Sequence, residues 1–423
     1  MSSPPIESSR RRSSTRRPSI STEKLGRMVL SRAPKPGADF LGPRLKVIAI
    51  VDPMTATATA VLERKRNSFV ISAYRDTRIC SSFADFVATM KPEEMPHAII
   101  VGSPPGFRGS MEKGRDIEVQ ILEAFPKNTP ALFIEKPIST HTVEQATHVG
   151  RALTDSQTVV SVGYVLRYLK VVQKMRSVLE DNNLEVMATN ARYVSTYSAV
   201  VNPAWWNKET YGGPIVEQAT HFIDLSRYFG GDVLLETVQA TSLEWYDEAG
   251  KLSEVNVDEG AIPEEKRIPR VTSAIWNYEN GGVGSLVHLA LPFRARKGAD
   301  VHPSQTHSIN LQGIKYATDI EVYADGYKLY LSDPYNAPVL RIRSPASDNE
   351  EVCTFEDDDP YFSEVQAFID ASDPSNTSAF SEDVEILSSF DDSLKTYALS
   401  WAIRVASERT AKAARLAKKR KAT

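Results

Sequence analysis

The chain has 423 residues, 41% hydrophobic and 25% charged, a make-up that suits a soluble protein of two domains with sizeable cores. A formal net charge of -4 gives no overall case for nucleic-acid or membrane binding, and no apolar run approaches the roughly 18 residues that span a bilayer. Cys80 and Cys353 stand far apart and form neither a disulfide framework nor a CxxC metal site, so a reducing, cytoplasmic setting is expected.

Residues 1–25 carry Arg10, Arg11, Arg12, Arg16 and Arg17 among serines, with little to bury, and read as a disordered basic tail. The segment is Arg- and Ser-rich like a mitochondrial transit peptide, but Pro4, Pro5 and Pro18 oppose an amphipathic helix. Arg16-Arg17-Pro18-Ser19 matches the loose pattern of a basophilic kinase site.

Residues 26–150 alternate strand and helix. Leu45 to Val51 is a β-branched, nearly continuous apolar strand ending in Asp52-Pro53. Ala98 to Gly102 is followed by Ser103-Pro104-Pro105, and Ala131 to Ile134 by Glu135-Lys136-Pro137. Thr55 to Arg66, Phe83 to Met90 and Glu112 to Phe125 read as helices. This alternation predicts an α/β fold with a Rossmann-like doubly wound parallel sheet, which binds ligands at the carboxyl ends of its strands. At that edge Asp52 either accepts ribose hydroxyls or caps a turn. Glu135 and Lys136 are either ligand contacts or a charged pair that closes the strand.

The first unit breaks the pattern. Arg27 to Leu30 is a short strand at best, and only the 14 residues 31–44 separate it from Leu45. About a dozen are needed for a parallel crossover, and Pro34, Pro36 and Pro43 oppose a helix there. The fingerprint G-x-G-x-x-G, whose backbone cradles a pyrophosphate, is absent.

Residues 151–405 read as a second domain with a large, mainly antiparallel sheet. Thr158 to Tyr164 is a strand leading to Arg167, which either binds substrate or braces the turn between domains. Gly212-Gly213-Pro214 opens a helix on which Glu217, His221, Asp224 and Leu225 share one face. An acid one turn before a histidine can orient the imidazole for proton transfer; the plainer reading is a buried histidine satisfied by a neighbour. With no second cluster of ligand spacing, no metal site is expected. Glu279-Asn280-Gly281-Gly282 and Ala324-Asp325-Gly326 are hairpin turns, and Lys251 to Arg270 is a loop insertion. Tyr361 to Ala371 and Val384 to Ser407 close the domain, and residues 406–423 form a basic helical tail.

Taken together, Asp52-Pro53, Ser103-Pro104-Pro105, Glu135-Lys136-Pro137 and the Gly-Gly-Pro segment leading to His221 resemble the Gfo/Idh/MocA family. These are glucose–fructose oxidoreductase, inositol dehydrogenase and their relatives, and the resemblance is strongest to fungal members. It runs from about Leu45 to about residue 405. It implies a dehydrogenase using NAD or NADP on a secondary alcohol or ketone of a sugar, cyclic polyol or related molecule, with Asp52 favouring NAD. Lys136, His221 and Glu217 would be catalytic. Asp52, Pro53, Ser103, Pro104, Pro105, Glu135 and Lys136 would face the cofactor, and Tyr164, Arg167, Trp206, Glu217 and His221 the substrate. Two positions depart from the family pattern: Glu217 stands where aspartate is usual, and Phe107-Arg108-Gly109 where a histidine often follows the prolines. The resemblance also implies a homo-oligomer joined through the open face of the second sheet. A rival reading follows from the missing glycine loop: a non-catalytic relative serving as a binding or assembly module.

Overall fold

The computed structural model describes residues 27–32, 45–68, 70–196, 203–252, 257–291, 316–372 and 385–422. The arginine-rich tail and its kinase-type pattern lie outside them. Helix follows strand as the apolar periods predict: β1 (Arg27–Arg32), β2 (Leu45–Val51), α1 (Thr55–Arg66), α2 (Ile71–Tyr74), β3 (Arg78–Cys80), α3 (Phe83–Thr89), β4 (Ala98–Val101), α4 (Ile117–Ala124), β5 (Ala131–Ile134), α5 (Val143–Asp155) and β6 (Val160–Val162). They build a six-stranded sheet in the order β3-β2-β1-β4-β5-β6. In β5, Ala131 and Phe133 pack into one helical layer and Leu132 and Ile134 into the other, which is why the strand reads as an unbroken apolar run. α4 starts at Ile117, later than the sequence suggests. Gly114, at φ +86°, donates its N–H to Asp116 just before the helix, so the chain turns there.

The pairs β2–β3, β4–β5 and β5–β6 are parallel, but β1 is antiparallel to both of its neighbours. The sequence supplies the reason. The connection between β1 and β2 is barely long enough and too rich in proline for a helical crossover, and antiparallel neighbours need none. Arg27, at the amino end of β1, therefore pairs with Val51 at the carboxyl end of β2.

The second domain adds α6 (Lys170–Asp181), β7 (Val186–Thr196), α7 (Lys208–Tyr211), α8 (Gly213–Glu217), α9 (Thr220–Gly230), β8 (Val233–Leu243), β9 (Val271–Tyr278), β10 (Val283–Leu291), β11 (Tyr316–Ala324), β12 (Tyr327–Ser332), β13 (Val339–Ser344) and β14 (Ser347–Cys353). Their eight-stranded sheet runs β14-β13-β12-β11-β7-β10-β9-β8 and is antiparallel except between β7 and β10. Gly281 (φ +88°) and Gly326 (φ +73°) turn the two expected hairpins.

Two closing helices return across the molecule. α10 (Pro360–Ser372) sets Phe368 edge-on against Phe133 of the first sheet. α11 (Phe390–Ala422) contributes Leu399, Ile403 and Ala406 to the second core and Phe390 and Tyr397 to the first. The basic residues at its end continue this helix, and Lys418 bonds Asp247 at 2.7 Å. Among the described residues no helix is long and apolar enough to cross a membrane.

Candidate active site

Lys136 sits just past β5, at the edge where parallel α/β sheets bind ligands. The turn carrying it is held by Arg108, a buried side chain whose guanidinium donates to the carbonyls of Ser103, Lys136 (3.2 Å) and Pro137 (3.0 Å). One planar fork thus ties the loop after β4 to the loop after β5. Ser139 Oγ donates to the Gly109 carbonyl at 3.0 Å, and Gly109 N–H donates to Glu118 at 3.0 Å. Burial pushes the Glu118 carboxyl up to about 7 against that bond. Gly109 adopts φ +68°, and a Cβ there would lie 2.4 Å from the Ile138 carbonyl oxygen, so only glycine fits. Phe107-Arg108-Gly109 departs from the family's sequence pattern, yet it is the segment that aims Lys136. Spacing alone gave no sign of this.

The Lys136 ammonium donates to the backbone carbonyl of Glu217 at 2.9 Å and to its carboxylate at 3.1 Å. The sequence predicted one helix carrying Glu217, His221 and Asp224 on a single face. The structure divides it into α8 and α9, with Gln218 and Ala219 in a turn between them. Gly212 and Gly213, both at positive φ, set up this short first piece. Because of the break, Glu217 turns to Lys136 and does not orient His221.

His221 is 9% exposed, and its Nδ1 is buried without a hydrogen-bond partner. Its ring is met edge-on by Tyr164 at 5.9 Å and by Tyr335 at 6.1 Å. Burial first, and the Lys136 charge second, hold His221 well below the usual imidazole range, so the ring is neutral near pH 7. In the turn before α9, Gln218 pairs with His288 Nε2 at 3.1 Å, and His288 stacks on Tyr193 at 5.2 Å. Burial drops His288 to about 3, leaving it neutral too.

The remaining predicted contacts fare differently. Arg167 is a brace, not a substrate ligand: it grips both carboxylate oxygens of Asp224 at 2.6 and 2.7 Å, bonds Asp392 at 2.6 Å, and donates to the Leu387 carbonyl. Trp206 is fully buried among Val257, Ile262 and Ile268, so the loop insertion forms a small core around it and it faces no cleft. Tyr164 is buried as well; its hydroxyl pairs with Thr220 at 2.9 Å, and it reaches the site only through its contact with His221. Asp52 lies at the expected strand end, where its carboxylate accepts the Met54 N–H at 2.7 Å and Pro53 beside it is exposed.

Two observations test whether this edge suits a nicotinamide dinucleotide. Ser103 Oγ is buried with no partner beside the Pro104-Pro105 turn, and Lys136 and His221 meet at the same edge, so the nicotinamide end is furnished with polar groups. The phosphate end is not furnished in the same way. With β1 reversed, its carboxyl end lies at the far edge of the sheet, beside the amino end of β2.

Residues 30–164 match a family model described as an oxidoreductase family with an NAD-binding Rossmann fold, and residues 167–295 match an oxidoreductase C-terminal domain. The chain belongs to the Gfo/Idh/MocA oxidoreductase family. Two uncharacterised proteins of Schizosaccharomyces pombe are 45% and 41% identical over 86% and 85% of the chain, covering 83% and 88% of their own lengths. Solved structures of similar fold include a levoglucosan dehydrogenase in complex with NADH and L-sorbose, at 15% identity and a TM-score of 0.60, with 86% and 88% of the two chains covered. A UDP-N-acetylglucosamine 3-dehydrogenase from Acidithiobacillus ferrooxidans matches at 14% identity and a TM-score of 0.57, covering 86% and 90%. This Gfo/Idh/MocA member therefore shares the two-domain fold of NAD(P)-dependent dehydrogenases, with its first strand reversed.

Proposed function

We propose that the protein moves a hydride between a nicotinamide cofactor and the carbinol carbon of a sugar, cyclic polyol or related secondary alcohol, and that Lys136, Glu217 and His221 carry the proton chemistry. The Lys136–Glu217 contact, which brings the two domains' predicted residues to one point, carries this reading. The cofactor, bound along the carboxyl edge with Asp52 and the Ser103-Pro104-Pro105 turn, supplies the hydride acceptor or donor.

The chain's own part is to hold and move the proton. Lys136 Nζ donates a hydrogen bond to the reacting oxygen and stabilises negative charge as it develops there. Glu217 holds that ammonium in place and keeps a carboxylate oxygen within reach of a neighbouring hydroxyl. The neutral imidazole of His221 accepts the hydroxyl proton in oxidation and returns it in reduction. Burial by Tyr164 on one side keeps water from that ring.

A homo-oligomer formed through the open face of the second sheet accords with exposed Met187, Ile275 and Val283 there. The reversal of β1 favours one competing reading, in which the fold survives as a binding module. Titration of the full chain with NADH and NADPH, followed by fluorescence, tests the proposal. Saturable binding below about 1 mM is expected, with NADH the tighter. Failure of both to saturate sinks the enzymatic reading in favour of the module.

A further inference from the structure

His221 sits between two aromatic rings that differ in one respect. Tyr164 is 1% exposed and spends its hydroxyl on Thr220, whereas Tyr335 is 36% exposed. Tyr335 comes from the far sheet, in the connection between β12 and β13, and its ring also lies 6.2 Å from Phe222. That connection is firmly built. Asp333, at φ +47°, donates its N–H to the Thr318 carbonyl at 2.9 Å. Its own carbonyl accepts from Asn336 and Ala337, and its carboxylate takes the Asn336 amide at 2.8 Å. The ring is thus presented to the site by a fixed turn.

The charges nearby narrow what can lie on it. Arg167 and Arg227 are bound to Asp224, Asp232 and Asp392, Arg108 to backbone carbonyls, and Lys136 to Glu217. Among the described residues, a carboxylate or phosphate arriving at His221 would meet cations already paired, and would face the Glu217 carboxylate. Hydroxyl groups suit Lys136, Glu217 and His221, and an aromatic face suits the apolar C–H side of a ring.

We infer that Tyr335 is a specificity-determining residue: its exposed ring stacks on the C–H face of an uncharged cyclic polyol or glycoside and sets one carbinol against His221 and Lys136. This deepens the dehydrogenase reading and rests on it for the identity of the reacting group, but the ring contact has its own readout.

The test is ligand-observed saturation-transfer NMR on the full chain, with and without NAD⁺, using methyl β-glucoside, an acyclic hexitol and glucuronate as probes. Methyl β-glucoside is expected to bind best, to weaken about tenfold in Tyr335→Ala and to be unchanged in Tyr335→Phe. Equal binding of methyl β-glucoside by wild type and Tyr335→Ala, preference for glucuronate, or no binding of any probe by wild type overturns the inference. Tyr335-dependent ring binding without any hydride transfer would leave the stacking role standing while sinking the dehydrogenase reading.

Discussion

Replacing Lys136 by methionine is expected to lower kcat by about a thousandfold while NADH binding and far-UV circular dichroism stay unchanged. Methionine keeps the apolar stem and removes the ammonium. A positioned acid–base or hydrogen-bonding group is worth about 10² to 10⁴ in rate. The change should fall on kcat rather than KM, because the hydrogen bond to the reacting oxygen strengthens as charge develops. Turnover within threefold of wild type would remove Lys136 from the chemistry and reduce its bond with Glu217 to a tie between domains.

The largest loss of stability is expected from Arg167→Leu. Arg167 is 3% exposed, and its guanidinium satisfies Asp224, which is 1% exposed, together with Asp392 and the Leu387 carbonyl. Burial alone would lower the arginine's proton affinity, but Asp224 and Asp392 outweigh it and raise it, so the charge is permanent. Removing one partner of such a buried pair strands the other, at a cost of about 3–5 kcal/mol. Arg227 remains near Asp392 through a 2.9 Å contact, which places the loss toward the lower end. The network joins the segment after β6 to α9 and α11, so the variant should also loosen His221 relative to Lys136. Urea denaturation of wild type and variant measures the effect; a difference below about 1 kcal/mol would show that the network is dispensable.

Much of the fold was legible because buried parallel strands are short apolar runs with punctuated ends. β2, β4 and β5 fall where Leu45–Val51, Ala98–Val101 and Ala131–Ile134 are almost wholly apolar, and Gly281 and Gly326 mark the β9–β10 and β11–β12 hairpins. Lys136 was legible because proline stops a strand and leaves the preceding charge at its carboxyl edge. The direction of β1 was not, since a strand's apolar pattern is the same read either way; only the short, proline-rich connection hinted at a reversal.

Side-chain partners were the least legible part of the site. Helical spacing put Glu217 and His221 on one face, but the turn at Gln218 and Ala219 breaks the helix between them, and Glu217 pairs with Lys136. Spacing left Arg167 open between ligand and brace, and its bonds to the buried Asp224 and the part-exposed Asp392 favour the brace. The family resemblance suggested Trp206 for the cleft, whereas the exposed residue beside His221 is Tyr335, over a hundred residues away, on a turn without a motif. Glu364 of α10 is another contact that no local pattern announces. It is 3% exposed, with one oxygen lacking a partner. Burial, with Glu135 and Asp224 adding to it, pushes the Glu364 carboxyl well above the usual range, so a neutral acid lies behind the Glu135-Lys136 turn.

The central claim is that hydride passes between a carbinol carbon and nicotinamide at Lys136. It is tested most directly by incubating the full chain with NAD⁺ and carbinol-deuterated methyl glucosides and inositols, then analysing the nicotinamide by mass spectrometry. Deuterium in the reduced cofactor from at least one ring alcohol, and none with Lys136→Met, is the predicted result. Saturable NADH binding with no deuterium transferred from any of them, in wild type and variant alike, would contradict it.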